Sequence, residues 1–324
     1  MTGCMLPDHT AARRNIHTTR SVCVSRIVWR WPENDLQYVF TLSALVALLV
    51  GGFALLNRPR FVPVDAEIPV DFPADGFSHQ DFEELLGQYV DRDGDVNYDA
   101  WQESRESVAQ LDSYLAAVSR YSPDNAPERF QTRDDELAYW IYGYNAYVVK
   151  SVLDNWPISS VTDVKAPLEV VTGLGFFFRL RFQFGGKYYS LLAVENGKIR
   201  KRYQDARIHF VLNCASDSCP VMRPELPTGQ ALQELLASAT IEFVGDAKNV
   251  SIDHANKQVV LSTLFKWFRR DFLNDLRKRG LSTDRGVLDY VASVAPEPVR
   301  TELNAVQGYD IVFRDYDWSL NATE

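Results

Sequence analysis

Two cysteines and a histidine lie close together in the stretch RIHFVLNCASDSCP, which covers residues 207–220. His209 precedes Cys214 by five residues and Cys219 by ten. An imidazole that takes the proton of a thiol turns the sulfur into a strong nucleophile. One interpretation of this stretch is therefore thiol-dependent hydrolysis or transfer at acyl or amide bonds.

Two other interpretations use the same side chains. Cys214 and Cys219 could form a disulfide in an oxidising compartment, and the domain would then be a non-enzymatic binding or structural module. Alternatively, both sulfurs and His209 could hold zinc with Glu195 as the fourth ligand, because the Cys-x4-Cys spacing is near that of zinc sites. No other cofactor is predicted. The three interpretations stay open on the residues alone.

Thiol catalysis also needs a group that orients the imidazole, and three residues elsewhere in the chain qualify: Asn145, Glu195 and Asp205. Asn145 lies within an apolar stripe on the longest predicted helix of the soluble part, residues 135–156. A buried amide must be hydrogen bonded. Asn145 therefore either fixes a neighbouring backbone segment or orients a catalytic group.

The residues around the histidine have the pattern of a strand. Apolar side chains alternate over 208–212, which predicts a short strand that runs into a polar loop closed by Pro220. On a continuous strand, His209 and Cys214 would point to opposite faces. Either the strand breaks before the first cysteine, or the functional pair is His209 with Cys219.

Hairpins and helices are interspersed along the rest of the soluble part. Residues 178–184 alternate, Gly-Gly follows, and 187–191 continue the pattern, which predicts a two-residue hairpin. A second hairpin is predicted over 249–261. Thr132 and Asp135 form a capping pattern at the start of the longest helix. Because no regular βαβ alternation is present, the predicted fold class is α+β, with mixed helices and antiparallel hairpins in one globular domain.

A stretch of 21 residues, 36–56, carries no charged side chain. At about 1.5 Å per residue it can cross a hydrocarbon core about 30 Å thick. Five arginines precede this stretch and two closely follow it, which places the N-terminus in the cytoplasm and the main domain in the periplasm or outside the cell. No small-x-small cleavage motif follows, which favours an uncleaved anchor. The predicted organisation is a cytoplasmic leader (1–35), a transmembrane helix (36–56), a linker (57–77) and an extracytoplasmic globular domain (78–324).

Charge divides unevenly between the two ends of the chain. Residues 1–60 carry a net charge of +4. Because the whole chain carries −9, residues 61–324 carry a net charge of −13. An acidic domain argues against nucleic acid or an anionic membrane surface as its partner. The predicted partners are the membrane, through one N-terminal helix, and an unidentified protein, peptide or small-molecule ligand.

Four separated motifs, LAYWIYGYNAYVV, RIHFVLNCASDSCP, LSTLFKWFRRDF and YDWSLN, together resemble the domain of unknown function 547 family. The resemblance covers roughly residues 95–321. Members occur in many bacteria, often behind a signal or anchor, and at the C-termini of plant proteins with a leucine-zipper segment. The resemblance implies functional positions at Trp140, Asn145, Glu195, Arg200, His209, Cys214, Ser216, Cys219, Lys266, Trp267 and Asp271.

Two positions depart from the family pattern: Asn196 stands where a histidine is usual, and Ala206 where a proline is usual. These departures disfavour a mechanism that needs two histidines, and the family has no established activity to transfer. A long helix with a polar residue, followed by strands that bear a histidine, is also similar to papain-like and transglutaminase-like folds. In those folds a cysteine occupies the helix, whereas this chain has Asn145. The thiol would then come from Cys214 or Cys219, or the scaffold would be a binding module.

Overall fold

The N-terminal apolar stretch forms helix α1, Glu33–Leu56. The computed structural model describes residues 33–323, so the predicted leader lies outside the described residues except for its last three. The segment Tyr38–Leu56 is long and apolar enough to cross a membrane. The prediction of an apolar helix is confirmed at the level of length and composition.

Eleven further helices lie in residues 57–323, the remainder of the described chain, together with short 3-10 and π-helical segments. The helices are α2 (Gln80–Tyr89), α3 (Tyr98–Glu103), α4 (Arg105–Arg120), α5 (Arg133–Leu153), α6 (Leu191–Ala193), α7 (Lys201–Tyr203), α8 (Ala231–Gly245), α9 (Leu264–Trp267), α10 (Arg269–Lys278), α11 (Val287–Val294) and α12 (Val299–Ala305). The 3-10 segments are Pro127–Arg129, Val161–Asp163 and Ala206–Phe210, and the π-helical segments are Leu174–Arg179 and Val194–Arg200.

The described strands form two small sheets, which confirms the mixed α and β character and both hairpins. In the first sheet, β2 (Leu180–Phe184) pairs in parallel with β1 (Arg60–Phe61) and antiparallel with β3 (Lys187–Tyr189). In the second, β5 (Gln258–Leu261) pairs antiparallel with β4 (Val250–Asp253) and in parallel with β6 (Asp310–Phe313). The turn between β2 and β3 has positive φ at Gly185 and Gly186, +54° and +78°, as a two-residue hairpin turn requires.

Helix α5 runs through the middle of the core. Its N-terminus has the predicted capping box: Thr132 Oγ1 accepts from the backbone N–H of Asp135, and a carboxylate oxygen of Asp135 accepts from the backbone N–H of Thr132. Side chains are buried on all sides of the helix, including Trp140 and Tyr147. A helix that is apolar all round must be surrounded by other elements. Helix α5 is therefore rigidly held in the core and can position the loops that pack on it.

The predicted strand over 208–212 is wrong, because residues Ala206–Phe210 form a 3-10 helix instead. The Asp205 carboxylate accepts from the backbone N–H of Arg207 and starts the turn. Every side chain from Ile208 to Asn213 is buried. The alternation of apolar residues did not indicate a strand here. A period of two arises when a strand has one buried and one exposed face, and these residues are buried on all sides.

Part of the predicted linker is structured. Arg60 and Phe61 form β1, and the side chains of Val62, Val64 and Phe77 pack against the core. The compact unit that contains the core extends over Phe53–Glu324. The chain from residue 57 onward therefore contributes to the same unit as the two sheets.

Candidate functional site

The cysteine and histidine stretch borders a cleft with a volume of about 440 Å³. Its walls come from α5, residues 171–173, the two π-helical segments, α6, the stretch 209–220, α9 with Phe268, and residues 316–322, here called the C-terminal segment. Most of the lining side chains are aromatic or aliphatic: Tyr144, Val171, Leu174, Phe177, Phe178, Leu192, Leu212, Pro220, Leu264, Trp267, Phe268, Tyr316 and Trp318. The remaining lining residues are Thr172, Gly173, Glu195, His209, Cys214 and Cys219. Such a surface favours an apolar ligand oriented by few polar groups.

Cys214 and Cys219 form a disulfide on the wall of this cleft. The backbone N–H of Cys214 also donates to Cys219 Sγ, over 3.0 Å. Neither sulfur is a free thiol in this state, so neither can act as a nucleophile or as a thiolate ligand of zinc. In the part of the chain that the structure describes, no group of three or more His, Cys, Asp or Glu side chains is placed to hold a metal ion.

The C-terminal segment holds the disulfide loop in place. Ser216 and Leu320 form an antiparallel bridge, and the backbone N–H of Asp217 donates to Ser319 O over 2.8 Å. The Tyr316 hydroxyl lies 3.1 Å from each sulfur and 2.7 Å from Ser216 Oγ. These contacts explain why the YDWSLN motif accompanies the cysteine motif, although about one hundred residues separate them.

Asn145 fixes the backbone just before the disulfide. Its Nδ2 donates to Val211 O over 2.9 Å, and its Oδ1 accepts from the backbone N–H of Asn213 over 3.0 Å. The Asn213 side chain continues the network, because its Nδ2 donates to Pro220 O and its Oδ1 accepts from the backbone N–H of Ala215. The two amides together tie both ends of the disulfide loop to helix α5. No hydrogen bond joins Asn145 to His209, so its structural partners are backbone groups.

His209 is held by a carboxylate and an aromatic ring. Its Nε2 lies 2.9 Å from Asp271 Oδ2, the same oxygen that accepts from Arg200 Nε over 2.7 Å. Burial opposes ionisation of Asp271, but hydrogen bonds from His209 and Arg200 lower its pKa to about 2. Asp271 is thus ionised at neutral pH, and the His209 Nε2–H donates to it. The His209 ring stacks on Phe268 with 3.8 Å between ring centroids.

Burial lowers the pKa of His209 despite the opposing influence of Asp271. The imidazole is consequently neutral near pH 7. Within the described residues His209 has no hydrogen bond to either sulfur. The arrangement positions an uncharged ring in the wall of an apolar cleft.

Glu195 is the one carboxylate among the residues that line the cleft. It lies in the π-helical segment Val194–Arg200, and such segments often occur at functional sites. Burial raises its pKa to about 7, opposed by the positive charge of Arg200 and reinforced by the negative charge of Asp271. No hydrogen bond from another described residue reaches its carboxyl group. Glu195 can therefore donate a hydrogen bond to a ligand when protonated, or bear a charge when ionised.

Other predicted residues have structural partners. Asp205 forms an ion pair with Arg207 and has no hydrogen bond to the His209 imidazole. At the position where the family usually has a histidine, Asn196 Oδ1 accepts from Arg200 Nη1. Trp140 lies in the core, and Lys266 is exposed to solvent.

Several important side chains were not identified from the sequence, namely Tyr144, Phe268 and Tyr316. Tyr316 and Phe268 do lie within quoted motifs, YDWSLN and LSTLFKWFRRDF, and Tyr144 precedes Asn145 directly. Aromatic residues at these positions would ordinarily be assigned to a core. Their convergence on the cleft follows from contacts between elements far apart in sequence.

Comparison with known proteins gives a match to a protein family. Residues 127–244 match a family model described as "Protein of unknown function, DUF547", which confirms the family resemblance over that segment. The matched segment contains Asn145, Glu195, His209 and both cysteines, whereas Asp271 lies beyond it. No curated protein and no solved structure matches the chain. The likeness to papain-like and transglutaminase-like folds stays a prediction.

Proposed function

We propose that this protein is a membrane-anchored module whose cleft binds a small apolar ligand. The observation that carries the proposal is the composition of the cleft wall: aromatic and aliphatic side chains enclose about 440 Å³ around a single carboxyl group. Concave apolar surfaces with one or two convergent polar groups are the usual form of small-molecule sites. The disulfide and the Asn145 network support a binding role, because they make the wall rigid before a ligand arrives.

A photoreactive decanol that carries a diazirine tests this proposal on the full-length protein. We expect saturable labelling of peptides that contain Trp267 and Phe268, and unlabelled decanol should compete. Leu192 lines the cleft and is 42% exposed, so a Leu192→Trp variant should fill part of the cleft without disturbing the core. Labelling should fall by at least about tenfold if the larger ring removes about 1.4 kcal/mol of binding free energy.

Leu281→Trp is the matched control, because Leu281 is 41% exposed and does not line the cleft. Its labelling should equal that of the unchanged protein. Labelling that does not saturate, or that is the same in both tryptophan variants, would contradict an apolar ligand site in the cleft.

A second candidate is thiol-dependent hydrolysis or transfer by a reduced form of the protein. The observation that favours it is that His209, Cys214 and Cys219 line one cleft. Opening the disulfide would release two thiols, one of which could act as nucleophile. Alkylation by iodoacetamide after mild reduction should then be fast near neutral pH and should slow in a His209→Ala variant. Equal alkylation rates with and without His209 argue against this second function.

A further inference from the structure

One side of the cleft is formed by an exposed apolar segment, residues 168–178, here called the lip. Its sequence is LEVVTGLGFFF. Val170 is 68% exposed and Val171 is 64% exposed, and Leu168 and Phe178 are exposed as well. Contiguous exposed apolar side chains of this kind mark a surface that meets an apolar partner.

The charged residue of the lip does not make this surface polar. Glu169 is its sole charged residue, and one carboxylate oxygen accepts from the backbone N–H groups of Ala166 and Gly175, over 2.7 and 3.2 Å. The other oxygen is buried. Glu169 therefore folds the lip onto itself and leaves the apolar side chains facing outward.

The lip is tied to the residues that directly follow the apolar helix. Asn57, the residue after the end of α1, donates from Nδ2 to Leu168 O over 3.2 Å and accepts on Oδ1 from Leu168 N–H over 3.1 Å. Beyond the other end of the lip, Arg179 Nε donates to Arg58 O over 3.0 Å. If α1 crosses a bilayer, chain connectivity holds Asn57 at the bilayer surface. The hydrogen bonds to Leu168 then keep the lip at that surface.

Positive charge next to the lip favours an anionic lipid. Arg58, Arg60, Arg179 and Arg181 flank it, and none of the four forms an ion pair with another described residue. The domain is strongly acidic overall, so four arginines at this place are a local exception. Arginines beside a membrane attract anionic head groups.

The lip is also part of the cleft wall, through Val171, Leu174, Phe177 and Phe178. A molecule that leaves the bilayer at the lip would therefore reach the cleft along a continuous apolar surface. We propose that the lip enters the bilayer surface and that the ligand of the cleft is an acyl chain of an anionic membrane phospholipid. This inference rests on the proposed function and adds the class of ligand and its route of entry.

The test uses the full-length protein in vesicles of phosphatidylcholine and phosphatidylglycerol. A trace of phosphatidylglycerol carries a diazirine at the end of one acyl chain, and crosslinked residues are identified by peptide mass spectrometry. We expect adducts in α1, which report insertion, and also on the cleft wall at Trp267 and Phe268, which the lip does not contain.

Two double variants distinguish the contribution of the lip to cleft labelling from that of exposed apolar side chains elsewhere on the surface. Leu168→Ser with Val170→Ser removes two exposed apolar side chains that do not line the cleft, and adducts at Trp267 and Phe268 should fall by about tenfold relative to those in α1. Ile241→Ser with Leu281→Ser removes two exposed apolar side chains elsewhere on the surface, and the ratio should not change.

Each result bears on one of the two proposals. If decanol labels the cleft but the phospholipid labels α1 alone, the lipid inference is overturned while the proposed function stands. If neither probe labels the cleft, both fail. Equal cleft labelling in the Leu168→Ser/Val170→Ser variant would overturn the role of the lip. Equal labelling by a phosphatidylcholine tracer would overturn the preference for an anionic head group.

Discussion

Individual residues around the cleft divide into those that fix the backbone and those that face a ligand. Asn145 and Asn213 belong to the first group, because their amides bind main-chain groups. Glu195 belongs to the second group, because it lines the cleft and its carboxyl group has no hydrogen-bond partner among the described residues. His209 lines the cleft too, yet its Nε2 is committed to Asp271.

Replacing Asn145 by alanine should destabilise the domain by about 2 to 3 kcal/mol, because Val211 O and the Asn213 N–H would lose their buried partner. Urea unfolding of the full-length protein in detergent measures this change. Asn155→Ala is the control: its amide donates one, partly buried hydrogen bond to Ser151 O, so the loss should be about 1 kcal/mol. An Asn145→Ala variant as stable as the control would show that the network contributes little.

Glu195 should make ligand binding depend on pH. Its pKa of about 7 means that the carboxyl is largely neutral below pH 7 and charged above it. A charge in an apolar cleft must be desolvated when an alcohol binds, so the Kd for decanol should rise by up to about tenfold per pH unit above pH 7. Burial keeps His209 neutral over the same range, so it adds no competing change.

The Glu195→Gln variant should bind decanol with the same Kd below and above pH 7. The matched control, Glu103→Gln at an exposed position, should show the same pH dependence of the Kd as the unchanged protein. The stability of the unchanged protein should also decrease as the pH rises from about 4.5 to 7. In that interval the folded state holds a proton that the unfolded state has released. A Kd for the unchanged protein that is constant across pH 7 would contradict the assignment.

At the scale of elements, the cleft depends on segments that bring together distant parts of the chain. Helix α5 holds the disulfide loop from one side, and the C-terminal segment pairs with it from the other. Ala215, at the tip of this loop, has a positive φ of +60°, which is unfavourable for a residue with a Cβ. The surrounding hydrogen bonds maintain this conformation.

Removing the disulfide with Cys214→Ser and Cys219→Ser should lower the free energy of unfolding by about 2 kcal/mol. The effect is small because the two cysteines are only five residues apart, so the unfolded chain gains little conformational entropy when the bridge is absent. Decanol labelling should persist, because backbone hydrogen bonds still hold the loop. The intact mass of the unreduced protein should lack two hydrogen atoms relative to the reduced protein. If the unreduced protein instead shows two free thiols between these cysteines, the second candidate function gains support.

At the scale of the whole molecule, α1 is the proposed membrane anchor of the domain. We expect the double variant Leu45→Arg and Leu48→Arg to move the protein from the membrane pellet to the soluble fraction after carbonate extraction. Each arginine near the middle of a span costs about 2.5 to 3.5 kcal/mol on insertion. Ile241→Arg with Leu281→Arg, in the domain, should leave the protein in the pellet. A helix variant that stays in the pellet would argue against a single spanning anchor.

The sequence by itself determined the features that depend on local patterns. Charge-free length predicted α1, the Thr132 and Asp135 pair predicted the capping box of α5, and Gly185-Gly186 predicted the first hairpin. In each case the physical cause lies within a few neighbouring residues. Four motifs in order also predicted the family resemblance, and the family model matches residues 127–244, which contain two of those motifs.

Only the tertiary structure decided what surrounds the histidine and the cysteines. The strand predicted at 208–212 is a 3-10 helix, because burial from every side left no second face. The orienting partner of His209 is Asp271, sixty-two residues away, rather than Asn145, Glu195 or Asp205. The disulfide was one of three open alternatives in the sequence. Hydrogen bonds and ion pairs between distant segments depend on how the chain packs, which spacing along the sequence does not specify.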